Sequence, residues 1–358
     1  MDRAVHAGRE GTAVAAAERP RSAYLTRMPE TFRVGVLGTL VKDRIYGAPP
    51  STVWSEGWGG IAYALSGLDA ALTANWEIVP LIKVGADVAA DARAYLAGLR
   101  RVARDAELRE VPEMNNRSEL RYYSNAERVE TMSGGVPPWT WEELEPILRD
   151  ANLDALYVNF LSGVEVDLAT MQRIRRAFAG PIYMDVHMML WRPDDRGVRA
   201  LTPLAHAERW CGCCDLVQVN EEEMRMLAPD ADALADLALR AGASATLVTL
   251  GPRGVRYDTR EGFRSLRVRR DRTSGNADGI TSGITSGITS ATVPPPHVLD
   301  GDVDPTGCGD VWGATMFARL VAGDDLEIAV RRAHVAAGAN AGWRGIPGLV
   351  AHLISAGR

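Results

Sequence analysis

Asp304-Pro305-Thr306-Gly307-Cys308-Gly309-Asp310 runs directly into Val311-Trp312-Gly313-Ala314-Thr315-Met316-Phe317-Ala318. The second half repeats apolar residues at helical spacing, so the glycines before it place a turn on a helix N-terminus. In such a turn backbone N–H groups converge where the helix dipole adds positive potential. That suits a phosphoryl group, or the charge that develops during its transfer. Asp310 follows at once, where a carboxylate can accept a proton from an attacking hydroxyl. On spacing alone, an acid in the first turn serves equally well to stabilise the helix.

Upstream, short apolar runs alternate with stretches of helical spacing. The runs are Arg33–Gly38, Ile78–Val84, Ala155–Phe160, Pro181–Asp185, Leu216–Asn220 and Thr246–Leu250. Each has the length of a buried strand and lacks the alternation of a half-exposed one. Between them Ile61–Leu72, Val88–Val102, Trp141–Leu148, Leu168–Phe178 and Ala231–Ala241 read as helices. The order predicts an α/β fold, a doubly wound, mainly parallel sheet with helices on both faces. Two regions break the rhythm. Val41–Tyr46 and Thr52–Trp58 read as hairpin strands, and Glu119–Tyr123 and Arg128–Met132 alternate around Ser124-Asn125. Together they predict a small separate β-sheet, a lid with strands from about 41–58 and 116–133. It would lie above the carboxyl edge of the main sheet, where open α/β folds bind ligands.

Residues 1–32 read as a flexible tail and residues 33–358 as one domain carrying the lid. The Gly-Ile-Thr-Ser repeat that starts at Gly279 and ends at Ser290 reads as an expanded, mobile surface loop over 275–293 without chemistry.

Of 358 residues, 46% are hydrophobic and 24% charged, the balance of a globular protein rather than a disordered or collagen-like chain. Acids exceed bases, 46 against 40, which disfavours nucleic acid and other polyanions as partners. No apolar run reaches the roughly 18 residues of a membrane span. The first residues lack the apolar core of a secretory signal, so the cytoplasm is the expected compartment. Four cysteines make no disulfide framework. Cys211, Cys213 and Cys214 crowd together without a second pair to complete a zinc site, and read as a reduced, partly buried cluster.

The whole Asp304–Asp310 pattern resembles the D-x-T-G-x-G-D signature of the ribokinase-like (PfkB) carbohydrate kinases, matched at Asp304, Thr306, Gly307, Gly309 and Asp310. The resemblance extends from about residue 33 to the C-terminus. It implies a ribokinase-like fold and an ATP-dependent phosphotransferase acting on a hydroxyl, often a hydroxymethyl, of a sugar or sugar-like substrate. Asp310 would be the catalytic base, and the amides of Gly307, Cys308 and Gly309 the anion hole. Asp43 and the diglycine Gly59-Gly60 match substrate-binding positions, with Asn159 and Ser162 as further sugar contacts. Asn220 and Glu223 match the family's N-x-x-E, which organises Mg²⁺ and phosphate oxygens largely through water, a mode that suits a reluctantly dehydrated ion. Thr249, Gly251 and Gly254 resemble the nucleotide-side turn, joined by Thr306, and Asp304 is a candidate ligand for a monovalent cation such as K⁺. Each match outside the signature also has a plainer reading as a hairpin charge, a helix start or a polar strand end.

There are departures. Ile61-Ala62-Tyr63-Ala64 lacks the asparagine that usually follows the diglycine, and Cys308 stands in place of alanine. Asp185-Val186-His187 occupies a place where many members have Asp-Pro-Asn, so His187 is either a site residue or a structural histidine. No G-x-x-x-x-G-K-[ST] and no H-R-D supports a Walker-A or protein kinase. A nucleoside kinase on the same scaffold is the nearest alternative, because Trp54, Trp58 and Tyr63 can stack a base or merely pack. A non-catalytic sugar or nucleotide sensor is the more distant one. The expected partners are small molecules and, through an exposed apolar lid, a second copy of the chain; no membrane is expected.

Overall fold

A computed structural model describes residues 31–46, 54–106, 108–122, 128–195, 198–266, 287–296 and 303–357. The tail at 1–30 and the repeat segment up to residue 286 fall outside that set.

Strand β1 (Phe32–Tyr46) is 15 residues long. Thr39-Leu40-Val41-Lys42 offers no turn residue after Gly38, so the two strands expected here are one. β2 (Trp54–Gly60) returns antiparallel along its second half, from Leu40↔Gly60 to Tyr46↔Trp54. Helix α1 (Ile61–Ala71) is buried on every side from Ile61 to Asp69, as its apolar composition demands. Then come β3 (Trp76–Gly85), α2 (Ala89–Ala97), β4 (Arg109–Val111), β5 (Arg117–Tyr122) and β6 (Arg128–Ser133). α2 stops well short of Val102, because Gly98 closes it.

α3 (Trp141–Asp150) opens on a Thr140–Glu143 capping box. It is followed by β7 (Ala155–Asn159), α4 (Leu168–Ala177), β8 (Ile182–Asp185), the short pair β9 (Trp191–Pro193) and β10 (Arg199–Leu201), and α5 (Ala207–Cys211). β11 (Leu216–Asn220), α6 (Glu221–Leu227), α7 (Ala231–Ala241), β12 (Ala245–Thr249), β13 (Val255–Arg260) and β14 (Ile288–Val293) complete the strands. Helices α8 (Cys308–Val321), α9 (Leu326–Ala341) and α10 (Leu349–Ala356) close the chain.

The main sheet has the order β14-β13-β12-β11-β8-β7-β1-β3-β4. The strands from β12 to β4 run parallel, while β13 and β14 are antiparallel at one edge. Successive strand residues enter opposite cores. Tyr157 and Leu216 pack with α1, α8 and α9 on one face, and Val158 and Val217 with α4 and α7 on the other. Burial on both faces explains why these strands read as unbroken apolar runs. The fold is therefore the mainly parallel α/β sheet that the sequence pattern predicts.

The four lid segments pair as the sequence pattern predicts, but they do not form a free-standing sheet. β1 continues out of the main sheet and pairs with β2 and, in parallel, with β5, which carries β6. The lid is thus an extension of the central sheet through a shared strand, not a separate sheet. The last copy of the repeat also differs. Ile288–Val293, placed in a mobile loop above, is edge strand β14 paired with β13, since its β-branched residues suit the side of β13 that β12 leaves open.

β1 lies between β3 and β7, so successive crossovers leave it in opposite directions. Such a switch point opens a crevice at the carboxyl ends of the strands.

Candidate active site

A cavity of about 310 Å³ fills that crevice. Its floor comes from strand ends (Asp185, Gln218, Asn220), its roof from the lid (Ser118, Leu120, Glu130, Met132), and one wall from Pro305–Asp310.

The wall is a turn built for exposed amides. Asp304 Oδ1 accepts the Thr306 N–H at 3.0 Å, and the Cys308 N–H donates to the Pro305 carbonyl at 3.1 Å. Gly307 then takes a left-handed φ of 72° and caps α8. A Cβ there would stand 2.2 Å from the Tyr63 ring, so only glycine fits. Among the described residues the Gly307 and Gly309 amides make no hydrogen bond, whereas the Cys308 amide is already used within the turn. The expected three-amide nest is therefore two amides and a bracing bond. The Cys308 thiol points back toward the Ala337 carbonyl at 3.6 Å and Asn340 at 3.4 Å, outside the cavity lining.

Asp310 lines the cavity at the positive end of α8. Burial pushes its carboxyl up, against the lowering effects of nearby His187 and of the hydrogen bond from Asn159. Asn159 Nδ2 donates to Asp310 Oδ1 at 2.6 Å from the end of β7. Asn159 was expected to touch a sugar, but it is fully buried behind the carboxylate and does not line the cavity. Ser162 is outside the lining too: its amide and that of Gly163 bind the buried Glu165 carboxylate, which fixes the loop after β7.

On the lid side Asp43 lines the cavity and lies flat against Gly59, where a Cβ would be 1.7 Å from Asp43 Oδ2. Gly59 makes room for the carboxylate rather than for a ligand, while Gly60 reaches the lining. Of the aromatic candidates, Tyr63 lines the cavity, whereas Trp58 packs near Tyr95 under the Lys42 ammonium at 3.8 Å. The side chain of Trp54 falls outside the described residues.

At the other end Thr249, Gly251 and Thr306 line the cavity and Gly254 does not. A Cβ at Gly254 would meet the Val293 carbonyl at 2.1 Å, which makes it a close-packing glycine of the β12–β13 turn. Asn220 and Glu223 both reach the lining, but as a capping box of α6. Glu223 Oε2 accepts the Asn220 N–H at 2.9 Å, and its Oε1 meets His187 Nδ1 at 2.7 Å. Burial pulls the His187 ring down, but the Glu223 carboxylate overrides it and holds the ring protonated, its pKa raised to about 10.

Each Glu223 oxygen already accepts one hydrogen bond, and the described residues hold no cluster of three metal-binding side chains. Such a donor set fits Mg²⁺ contacted through water rather than held in an all-protein cage. Asp304, the K⁺ candidate, closes its own turn. Cys211, Cys213 and Cys214 are free thiols in the second core, away from the cavity, with burial raising Cys211 to about 12 and Cys213 to about 11.

No protein-family sequence profile matches the chain, and no curated protein sequence does. Solved structures do. A Burkholderia thailandensis nucleoside kinase in complex with inosine aligns over 91% of this chain and 96% of its own, with 15% identity and a TM-score of 0.65. Ribokinase from Giardia lamblia covers 91% of this chain and 100% of its own at 16% identity and TM-score 0.65. Arabidopsis thaliana ribokinase, solved with ribose and ATP, covers 92% and 99% at 17% identity and TM-score 0.63.

The fold is that of the ribokinase family.

Within this ribokinase fold the structure adds residues that the motifs did not mark. Gln218 Nε2 donates to Asp185 Oδ2 at 2.9 Å and to the Gly309 carbonyl at 3.3 Å, while its Oε1 accepts the Tyr183 hydroxyl at 2.6 Å. The underside of the nest therefore rests on a buried polar network. Asp185 within it is pushed well up by burial. Glu130, held by the Ser118 hydroxyl at 3.0 Å, brings a second carboxylate to the lid side. The only signal for Gln218 was a polar residue inside an apolar strand run.

Proposed function

We propose that the chain is an ATP-dependent kinase that phosphorylates a hydroxyl of an uncharged sugar or sugar-like alcohol. The observation that carries this reading is the pairing of two unengaged amides, Gly307 and Gly309, with the half-buried, cavity-facing Asp310 at one helix end. A Cβ at Gly309 would meet nothing within 4 Å, so space for a phosphoryl group adjoins the amides. In the proposed reaction the acceptor hydroxyl sits beside Asp310 and attacks the γ-phosphorus. The new P–O bond forms as the bond to the β-phosphate oxygen breaks, and the hydroxyl proton passes to Asp310. The transition state is loose, so the proton leaves late, and most of the work is positioning and charge stabilisation by the amides. The raised affinity of Asp310 for a proton suits a group that must take one. Mg²⁺, when bound, would neutralise phosphate charge, and it would arrive with the nucleotide and its own waters.

The acceptor end supports an uncharged substrate. Asp43, Ser118 and Glu130 present oxygens that accept hydrogen bonds from hydroxyls, and no lysine or arginine lines the described cavity. A phosphate or carboxylate on the acceptor would face these two acids, and the protonated His187 in the lining is already paired with Glu223. A nucleoside remains the second reading, because Tyr63 and the apolar Leu120, Leu161 and Met188 give a ring face something to lie on. ADP release measured against free sugars, sugar phosphates and nucleosides separates the two. For the chemistry, Asp310→Asn is expected to bind nucleotide normally and lose about 10²–10⁴-fold in kcat. Full turnover by that variant would remove Asp310 as the base.

A further inference from the structure

We infer that Asn159 is a positioning residue that aims the Asp310 carboxylate at the acceptor hydroxyl. The inference rests on the reading of Asp310 as the base. An aspartate in the first turn of a helix can fold back on the helix amides as a cap, and it then offers nothing to a substrate. Here the carboxylate meets its own backbone amide and, in addition, a side chain 151 residues away: Asn159 Nδ2 donates to Asp310 Oδ1 at 2.6 Å. With Oδ1 held by Asn159, the orientation of the carboxylate is fixed from outside its own helix.

Asn159 is an expensive way to fill its site. It is 0% exposed at the end of β7, beside Asp185 of β8, and its side chain also meets the buried Tyr157 hydroxyl. A fully buried amide costs free energy unless its donor is met, and here the Asp310 carboxylate meets it. An apolar residue of the same size would pack there without that penalty, so folding alone does not account for an amide. Pairing with the carboxylate does.

Asp310 is surrounded by other titratable groups: Asp185 and His187 at the end of β8, Glu223 from α6, Tyr63 from α1, Tyr157 and Tyr183 from β7 and β8, and Cys308 from its own helix. None of these side chains hydrogen-bonds the carboxylate among the described residues, so beside its own backbone amide Asn159 is the contact that sets its direction. The same bond favours the ionised carboxylate and opposes the upward push of burial.

The test compares Asn159→Leu and Asn159→Asp with the parent chain in steady-state kinetics across pH, with thermal melting alongside. Asn159→Leu keeps the size and removes the donor. It leaves the Asp310 carboxylate short of a donor, so its melting temperature should fall modestly, while the protein that remains folded loses about 10–100-fold in kcat with both KM values nearly unchanged. The acid limb of its kcat/KM profile should move to higher pH, because the carboxylate has lost its donor. Asn159→Asp keeps the shape, puts a like charge beside the base, and should move that limb further. It also reads the limb if the leucine variant does not fold. An unshifted limb with unchanged kcat, or a loss of activity that only follows a loss of folded protein, overturns the inference. Turnover by Asp310→Asn would instead overturn the reading beneath it.

Discussion

A methyl group at Gly307 would meet two obstacles at once, a left-handed backbone at φ 72° and the Tyr63 ring at 2.2 Å. The first costs about 1–2 kcal/mol by itself. Gly307→Ala should therefore lose more stability than that in denaturant titration, and Tyr63→Ala in the same chain should recover part of it. At Gly59 the obstacle is a side chain, the Asp43 carboxylate at 1.7 Å. Gly59→Ala should displace Asp43 and raise the acceptor KM at least about tenfold, a loss of roughly 1.4 kcal/mol in binding, while nucleotide affinity holds. A nucleotide Kd that rises equally would mean that residue 59 acts on the whole cavity.

These residues also show how far a sequence can be read. Asp304–Asp310 is legible because seven adjacent residues build the turn, and local backbone geometry is written locally. The bond from Asn159 to Asp310 and the contact from Gln218 to Gly309 join residues 151 and 91 positions apart, and no spacing rule spans such gaps. Asn220 and Glu223 were legible as a pair, but the capping box they form at the start of α6 was not.

Among the elements, β14 shows how an edge strand is held. His334 on α9 accepts the Trp312 N–H at Nδ1, 3.1 Å away, which leaves Nε2 to donate to the Val293 carbonyl at 3.0 Å. One neutral ring thus ties α8, α9 and β14 together. Burial lowers its pKa below the ordinary histidine value of about 6.5. The folded state then binds fewer protons than the unfolded one, so this contribution is complete above about pH 6.5 and is lost as pH falls through the folded value. Melting temperature should decline between about pH 7 and pH 5, and His334→Gln should flatten part of that decline. Equal slopes in the two proteins would show that the ring is not the titrating group. The continuity of β1 was harder to foresee, since the change of partners at Leu40 leaves no mark in its apolar pattern.

For the whole of residues 31–357, the lid and the central sheet share one strand, so they cannot unfold independently without tearing β1 from β3, β7, β2 and β5. Circular dichroism and tryptophan fluorescence should report the same transition, and a destabilising change in the lid, such as Leu120→Ala, should lower the single midpoint by both probes. Two separated midpoints would show that the lid is a domain of its own.

That edge strand carries one more consequence. Ile288-Thr289-Ser290 is the end of the last Gly-Ile-Thr-Ser copy, and four residues are two full periods of a strand, whose side chains alternate faces. Removing or adding one copy therefore delivers the same residues to the same faces beside β13, with no slip of register. In evolutionary terms the repeat can change its length freely, one unit at a time, while the sheet it feeds stays as it is.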